Sequence, residues 1–586
     1  MEIKPVADIL FENSLGAPTL NALIPNADNY TVFALQPKGD IEASAEGVRS
    51  RDQALAARQF DVFLTYAKET QADVVITPEY SMPWEVLKQV LSDCRGPVQG
   101  KLWALGCESI KINELESLKA ILAPFAKVIY EPLDATSTRF LSPLAYVFVT
   151  PPATGDGEAK TVLLIQFKTH AMGDQDHFEI NGMLSGTRIY QFGGHGQHLK
   201  LVSLICADAF ALTDDVAEAI HDRALILHIQ LNQNPRNEWF LGCRERLLHY
   251  DGDATEVLCL NWSEDVRMYI DGHERCWKNI AGSAWYLKAR EFDNRDTTIC
   301  NNHKKGFYYT WLQPYRSHTL FFNYKPAAFL FVATKVAHIA VAGPVSRRRG
   351  PLLTKICNWD DETGSWVEKT TADDGFSGVV TESGNAQGEI KRIADVNPLE
   401  AERILALCAG EIKDNEDWNE DWHKVHLLDS CVIESSEIIR RVTFAQDTHE
   451  QARRFRIARL KRCSHLWEII KNEELPPALS DLKSGFRFKW SPNFPQQNIE
   501  STSGKRATVI YMGEECSLTH VEATEKHMAD YLHKSSSDAD QSLAAQQRLH
   551  VWYRDQTGTI VPYKHHRYVK IDQTRDRSPF DIGREE

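Results

Sequence analysis

The stretch Leu201-Val-Ser-Leu-Ile-Cys206-Ala-Asp208 is an apolar, β-branched run that ends at a reactive side chain. Two other stretches follow the same plan, Asp73-Val-Val-Ile-Thr-Pro-Glu79-Tyr80 and Val162-Leu-Leu-Ile-Gln-Phe-Lys168-Thr-His170. Each run has the length and composition of a strand and delivers one reactive group near its C-terminal end. Because ligands bind at the carboxyl ends of strands in open α/β sheets, these stretches predict an α/β fold with one shared site.

Glu79, Lys168 and Cys206 together form a complete set of groups for acyl transfer from nitrogen. A cysteine attacks carbonyl carbons poorly until its thiol becomes a thiolate. A neighbouring glutamate can take the proton, while a neighbouring lysine stabilises the thiolate and the oxyanion that forms next. The backbone N–H of Ala207 is a candidate second oxyanion donor. This chemistry needs no metal and no cofactor, and we expect neither.

The residues around this trio resemble the motifs of the nitrilase, or carbon–nitrogen hydrolase, superfamily. Pro78-Glu79-Tyr80 is similar to the Glu motif, Lys168-Thr-His170 to the Lys motif and Ile205-Cys-Ala-Asp208 to the nucleophile motif. Glu179 stands where many members carry a second carboxylate. Two later stretches are similar to core strands of the family, Glu256-Val-Leu-Cys-Leu-Asn261 and Gly282-Ser283-Ala-Trp285.

The resemblance implies a four-layer α–β–β–α sandwich and a hydrolase of non-peptide C–N bonds. Cys206 would attack a linear amide, a carbamoyl group or a nitrile and form a thioester. Lys168 would hold the oxyanion, Glu79 would activate the water that releases the acid, and Glu179 would position Lys168 or the substrate. Members of the family commonly form dimers or larger assemblies, so a homo-oligomer is expected.

The resemblance also has departures, and the expected substrate pocket is less well defined than the trio. Ala207 replaces the aromatic residue that more often follows the family's cysteine. The segment Asn232-Gln-Asn-Pro-Arg-Asn237 is either a pocket wall near Cys206 or a polar surface loop. The residues that we expect around the substrate are Tyr80, His170, Asp208, Asn232 and Asn234.

The composition is that of a cytoplasmic enzyme with more than one domain. The chain has 586 residues, and its 12 cysteines show no Cys-x-x-Cys spacing, which suggests neither a zinc site nor a disulfide framework. No signal peptide is visible at the N-terminus. The most apolar long window, Ala327 to Val345, is interrupted by Lys335 and His338 and predicts two strands rather than a membrane span.

Changes in composition along the chain predict four segments. Residues 1–28 are a leader and residues 29–350 the nitrilase-like domain. Residues 351–395 are a linker or loop, because Asp360 to Gly388 is rich in Gly, Asp, Thr and Ser. Residues 396–586 are a mixed, mainly helical accessory domain that resembles no family known to us, and its expected role is interaction or regulation.

One segment of the accessory domain is a candidate for contact with a nucleic acid or an acidic protein. The net charge of −15 argues against indiscriminate nucleic-acid binding by the whole chain. However, Arg453-Arg-Phe-Arg-Ile-Ala-Arg-Leu-Lys-Arg462 predicts an amphipathic helix whose basic face includes Arg453, Arg456 and Arg459. The alternative is a solvated basic face over a buried apolar stripe.

Two other functions stay open beside hydrolysis. In one, the domain is a scaffold whose assembly is the function. In the other, the protein is an effector or partner subunit of a bacterial anti-phage defence system, in which the basic helix meets a nucleic acid or a partner such as a reverse transcriptase. A thiol-reactive probe distinguishes the scaffold from the enzyme, because a scaffold has no need of a reactive Cys206.

Overall fold

The fold is described by a computed structural model. It covers residues 1–26, 28–152, 157–173, 178–194, 199–233, 235, 238–249, 254–278, 282–288, 301–302, 305–312, 317–323, 325–336, 350–369, 380–396, 398–410, 450–491, 494, 496–513, 516–534, 536 and 538–563. The chain divides into two compact units, Met1–Ala372 (unit 1) and Asp373–Glu586 (unit 2). Unit 1 is a mixed α/β fold.

The strands of unit 1 form two large sheets and two smaller ones. In chain order the described strands are β1 Glu2–Pro5, β2 Asn29–Gln36, β3 Asp40–Ser44, β4 Gly47–Ser50, β5 Val74–Met82, β6 Leu102–Cys107, β7 Ile110–Lys111, β8 Lys127–Tyr130, β9 Phe140–Leu141, β10 Pro143–Thr150, β11 Lys160–Phe167, β12 Arg188–Gly193, β13 Lys200–Ile205, β14 Ala224–Ile229, β15 Thr255–Leu260, β16 Asp265–Ile270, β17 His273–Lys278, β18 Ala284–Lys288, β19 Phe307–Leu312, β20 Ser317–Phe322, β21 Ala327–Thr334, β22 Leu352–Asp360 and β23 Ser365–Lys369.

The order of the strands defines each sheet. The first large sheet has the order β1-β12-β13-β14-β15-β18-β20-β19, and the second has the order β23-β22-β21-β2-β5-β6-β10-β11-β8. A small sheet, β17-β16-β3-β4, joins two hairpins that lie far apart in sequence, and β7 pairs with β9. The described helices of unit 1 are α1 Val6–Glu12, α2 Gln53–Glu69, α3 Trp84–Ser92, α4 Ile112–Leu122, α5 Phe178–Gly182, α6 Asp214–His221 and α7 Glu238–His249.

The two large sheets contact each other through buried side chains. The Tyr146 ring on β10 lies 5.0 Å from the Phe192 ring on β12, and the Gln166 amide on β11 donates to the Ser203 carbonyl on β13 at 3.0 Å. The other face of the second sheet packs against helices, since Phe33 on β2 stacks on Phe63 of α2 at 4.5 Å. Strands buried on both faces carry apolar residues almost continuously, which explains the β-branched runs in the sequence.

The ends of unit 1 differ from the predicted segment boundaries. Residues 2–5 of the predicted leader form β1, which pairs in parallel with β12. The predicted linker over 351–395 contains β22 and β23, and β22 pairs with β21 as a continuation of the second sheet. Leu353 and Ile356 on β22 are buried. The low hydrophobicity of this region misled the prediction, because a strand with one solvent-facing side needs apolar residues on only one face.

These strands change the expected behaviour of a shortened chain. We expect residues 1–372 to remain soluble and to unfold cooperatively, whereas residues 1–350, the predicted domain, aggregate. Ending at residue 350 removes the buried Leu353 and Ile356, each stabilising by about 1.5–3 kcal/mol, from a total stability of about 5–15 kcal/mol. It also exposes β21 as an unpaired edge. Gel filtration and thermal melting of both chains check this expectation, and equal behaviour of the two would contradict it.

Unit 2 combines helices with one small sheet. Its described helices are α8 Gln387–Val396, α9 Pro398–Cys408, α10 Glu450–Asn472, α11 Leu518–Lys534 and α12 Ala539–Gln547. Its described strands are β24 Phe486–Phe488, β25 Ile499–Ser501, β26 Arg506–Tyr511, β27 Leu549–Arg554 and β28 Ile560–Pro562, which form one sheet in chain order. Among the residues described here and in unit 1, no helix is long and apolar enough to cross a membrane.

Helix α10 carries the predicted basic segment. Its predicted apolar stripe is buried at Leu460, Cys463 and Ile470. Arg459 is also buried, with 7% of its surface exposed, so this side chain does not present a solvated charge to a partner. The side chains of Arg453 and Arg456 lie outside the described residues, and contact of this helix with a nucleic acid or an acidic partner stays a prediction.

Candidate active site

The three reactive residues come together from both large sheets. Glu79 lies in the C-terminal part of β5, and Lys168 directly follows β11, both in the second sheet. Cys206 directly follows β13 of the first sheet. Each of the three is only 1% exposed. The site therefore lies where the two sheets meet, and neither sheet alone contains it.

The Lys168 ammonium joins two carboxylates. Its Nζ lies 2.8 Å from Glu79 Oε1 and 2.7 Å from both carboxylate oxygens of Glu179, at the start of α5. Burial by itself lowers the pKa of Lys168, but the Glu179 and Glu79 carboxylates outweigh it and hold this pKa well above its usual value. Tyr80 OH donates to Glu179 at 2.7 Å, and the Met172 N–H donates at 2.6 Å. Lys168 is therefore a fixed positive charge.

Glu79 is held as a base whose pKa matches neutral pH. Burial raises the pKa of this carboxyl to about 7, Glu179 adds to the effect, and Lys168 opposes it. The Leu231 N–H donates to Glu79 Oε2 at 2.9 Å, and the Ser142 hydroxyl lies 3.4 Å from Oε1. Trp262 Nε1 donates to the Glu79 carbonyl at 2.8 Å. These contacts fix the carboxylate between Lys168 and the nucleophile.

Cys206 lies in a strained turn with its thiol against Glu79. Its φ of +40° is in the left-handed region, which is unfavourable for a residue with a Cβ. Burial and the Glu79 carboxylate raise the pKa of the thiol well above its usual value, although Lys168 opposes them. The resting side chain is therefore a thiol, and it would need to lose its proton before it could act as a nucleophile.

Asp208 fixes the two loops that carry Lys168 and Cys206. Its carboxylate accepts from the Ile205 N–H at 3.0 Å, from Thr169 N and Oγ1 at 2.7 and 2.8 Å, and from the His170 N–H at 3.2 Å. Asp208 is fully buried, and burial raises the pKa of its carboxyl. It thus ties the nucleophile turn of the first sheet to the lysine loop of the second.

His228 supports Cys206 from the neighbouring strand, and the sequence analysis did not identify it. His228 Nε2 lies 3.0 Å from the Cys206 carbonyl oxygen, and the Gln230 amide contacts the imidazole. Burial lowers the pKa of His228 to about 4, so the ring is neutral at physiological pH. His228 is a polar residue inside the apolar run of β14, and this position could have marked it as a functional candidate. However, only the pairing of His228 with Leu204 on β13 shows that His228 supports Cys206.

A small cavity of about 40 Å³ adjoins the trio. Its walls come from the loops around the site and from the small sheet β17-β16-β3-β4. They consist of Tyr80, Lys168, Met172, Phe178, Glu179, Leu231, Asn232, Gln233, Met268, Arg275 and Trp277. Cys206 and Glu79 do not line this cavity.

The predicted pocket residues have different positions relative to this cavity. Tyr80 and Asn232 line it. Asp208 does not, since its oxygens are engaged by the backbone and side-chain donors named above. His170 is exposed, and only its N–H takes part in the site. Asn234 lies outside the described residues. Ala207 is fully buried directly after the nucleophile, and its role as an oxyanion donor stays a prediction.

Among the described residues, no group of three or more His, Cys, Asp or Glu side chains is arranged to hold a metal ion. The trio and Glu179 form a cluster of one cation and two carboxylates beside a thiol, which is suited to moving a proton and stabilising a developing negative charge. These two capabilities are what acyl transfer through a cysteine needs.

Neither a family model nor a curated protein matches the chain. Solved structures match it at low identity. An amidase from Nesterenkonia sp. is 14% identical, with a TM-score of 0.27, over 45% of this chain and 84% of the amidase. A variant of the Nesterenkonia AN1 amidase from the nitrilase superfamily is 14% identical, with a TM-score of 0.26, over 45% and 86% of the two chains.

A third structure is a glutamine-dependent NAD+ synthetase from Acinetobacter baumannii. It is 13% identical, with a TM-score of 0.26, over 61% of this chain and 53% of the synthetase. Because the identities and the TM-scores are low, we take from these structures only that part of the chain is similar to amidases of the nitrilase superfamily.

Proposed function

We propose that unit 1 is a four-layer α–β–β–α hydrolase that cleaves non-peptide C–N bonds through a thioester on Cys206. The substrate is a linear amide, with a carbamoyl group or a nitrile as the alternatives. The observation that carries this proposal is the meeting of three buried groups from two sheets, in which a buried thiol lies near a carboxylate of pKa about 7.

The first half of the reaction forms the thioester. Glu79 takes the Cys206 proton while Sγ forms a bond to the amide carbon, and the C=O electrons move onto oxygen. Lys168 stabilises this oxyanion, together with the Ala207 N–H. Glu79 then returns the proton to the amide nitrogen, the C–N bond breaks, and ammonia or an amine leaves.

The second half releases the acid. A water molecule gives a proton to Glu79 and its oxygen attacks the thioester carbonyl. The C–S bond breaks, the acid leaves, and the proton returns from Glu79 to Cys206. Glu79 therefore acts as a base and as an acid in each half, which a pKa near neutral pH favours. Glu179 and Tyr80 act through Lys168, whose position they fix.

Trapping the thioester tests this proposal directly. The full chain would be mixed with a panel of short amides, quenched with acid and digested, and the peptides would be examined by mass spectrometry. We expect ammonia in solution and an acyl group on the Cys206 peptide. Peptide mapping is required because Cys94 and Cys276 are exposed and react with added reagents. A Cys206 that stays unmodified by amides and by iodoacetamide would favour the scaffold alternative.

The pH dependence of the rate follows from Glu79. Acylation needs the ionised carboxylate, so kcat/KM should fall as pH decreases through an apparent pKa of about 7 and level off at higher pH. An ordinary glutamate would put this midpoint at about 4.3. The measurement is a kcat/KM profile from about pH 5 to about pH 9, with tryptophan fluorescence as a control for unfolding. A midpoint in the ordinary glutamate range would contradict the role of buried Glu79.

A further inference from the structure

His228 on β14 contacts the nucleophile turn from the helix side of the first sheet. Its side chain is 1% exposed, and its ring lies 5.9 Å from the ring of Phe240 on α7. Glu79 and Lys168 come from the other direction, because the strands that carry them, β5 and β11, belong to the second sheet. His228 therefore lies on the opposite side of Cys206 from the two charged groups.

The contacts of the His228 imidazole show which ring nitrogen carries the proton. Nε2 lies 3.0 Å from the Cys206 carbonyl oxygen, which can only accept, so Nε2 carries the hydrogen. Burial lowers the pKa of His228 to about 4, so the ring is neutral and Nδ1 keeps a lone pair. The Cys259 thiol, 3.8 Å from Nδ1, is a donor suited to this lone pair. The fold therefore favours the tautomer that donates to Cys206.

The same hydrogen bond sets the direction of the Ala207 N–H. The Cys206 carbonyl and the Ala207 N–H belong to one peptide unit, which is planar and trans, so the two groups point in opposite directions. A carbonyl directed at His228 therefore directs the N–H away from α7, to the side on which Glu79 and Lys168 lie. Ala207 is fully buried, so water does not compete for this donor.

The hydrogen bond from His228 also strengthens this donor. A peptide group whose carbonyl accepts a hydrogen bond is more polarised, and hydrogen bonds arranged in a chain strengthen one another. The φ of +40° at Cys206 is unfavourable, so the turn depends on contacts that hold it in place. A donor that is already oriented and polarised does not have to reorganise when negative charge develops beside it.

We propose that His228 is a positioning residue, which orients and polarises the Cys206–Ala207 peptide so that the Ala207 N–H stabilises the oxyanion together with Lys168. This inference rests on the proposed covalent chemistry of Cys206 and adds a residue that does not touch the substrate. It has a specific consequence. Loss of His228 should slow those reactions of the Cys206 thiol that form an oxyanion, and should spare those that do not.

Two reagents separate these reactions on the full chain. p-Nitrophenyl acetate transfers its acetyl group to Sγ through a tetrahedral oxyanion and releases p-nitrophenolate, whereas Sγ displaces iodide from iodoacetamide at a saturated carbon without an oxyanion. Both products are followed over time on the Cys206 peptide by mass spectrometry. In the His228→Leu protein, we expect acetylation to slow by about tenfold or more and alkylation to stay within about twofold. Complete loss of an oxyanion donor costs a factor of about 100 to 1,000, which sets the upper limit.

His228→Gln is the rescue variant, because its side-chain amide can donate to the Cys206 carbonyl from a similar position. Its acetylation rate should lie within about threefold of that of the unsubstituted protein. Ile226→Val is the matched control, since Ile226 is a fully buried residue of β14 without a polar group, and it should keep both rates. Thermal melting confirms that each variant is folded.

Equal slowing of both reactions would give His228 a structural role only and overturn the inference. Unchanged acetylation in the His228→Leu protein, or no recovery in the His228→Gln protein, would overturn it as well. Ammonia release from the panel of amides judges the proposed function separately. If the unsubstituted protein releases no ammonia, yet the two reagents respond to His228→Leu as expected, the hydrolase is rejected and this inference stands. Ammonia release at equal kcat/KM by the unsubstituted and His228→Leu proteins rejects the inference and leaves the hydrolase.

Discussion

The Cys206→Ala protein is expected to lose hydrolysis almost completely, with a decrease in kcat on the order of 10⁶-fold, as for the nucleophiles of other catalytic triads. The substitution removes only one sulfur from a buried position, so the free energy of unfolding should change by about 1 kcal/mol. Loss of activity with an intact fold is the result that assigns covalent catalysis to this residue. The measurements are initial rates of ammonia release and thermal melting.

Cys107→Ala provides the matched control. Cys107 is also fully buried, on β6 of the second sheet, and belongs to the apolar cluster that includes Phe63 and Leu87. It should melt much like the Cys206→Ala protein and retain its rate. Full activity in the Cys206→Ala protein, or equal loss in both variants, would remove Cys206 from its assigned role.

Lys168→Met is expected to lower both activity and stability. The oxyanion loses its cationic donor, which is typically worth a factor of about 100 to 1,000 in rate. In addition, Glu79 and Glu179 remain buried without the ammonium that joins them, and removing one partner of a buried ion pair costs about 3–5 kcal/mol. Kinetics and denaturant unfolding measure the two effects separately.

Two further variants separate charge from geometry at this position. Lys168→Arg keeps the charge, but a planar guanidinium does not fit between two carboxylates that both lie within 2.8 Å of Nζ, so the rate should remain low. Lys168→Met with Glu179→Gln removes one cation and one anion together, and should recover stability without activity. Near-normal turnover of either variant would mean that Lys168 is not a specific oxyanion donor.

The sequence by itself was sufficient to predict the elements that carry the reactive residues. The apolar runs before Glu79, Lys168 and Cys206 were predicted as strands, and they form β5, β11 and β13. The basic segment, which was predicted as a helix, lies in α10. These predictions depend on local periodicity and composition, which are properties of a few consecutive residues.

The order of the three motifs, and the resemblance they carry, also predict the chemistry that we propose for the site. A thiol, a carboxylate and an ammonium at strand ends have a limited set of uses, and acyl transfer is one that needs all three. Glu179, proposed from the same resemblance, contacts Lys168 through both carboxylate oxygens.

Contacts between distant segments could not be read from the sequence. Asp208 was expected in the substrate pocket, but its carboxylate binds the backbone of two loops, and no local pattern reveals such partners. His228 became visible only through its register against Leu204. The edge strand β23 and its neighbour β22 look like a linker in the sequence because many of their side chains are polar. Only the pairing of β22 with β21, and of β23 with β22, assigns them to unit 1.

Only the tertiary structure decides the protonation states of Glu79, Lys168 and Cys206 and forms the cavity beside Lys168. The pKa of Glu79 is near 7 because the carboxyl is buried and because the Glu179 carboxylate lies nearby. Glu79 and Glu179 belong to different segments of the chain. The hairpin that brings Arg275 and Trp277 over Lys168 pairs with β3, from the N-terminal part of the chain. Residue types are fixed by sequence, but desolvation and charge proximity are properties of the folded interior, where segments far apart in the chain exclude water from one another.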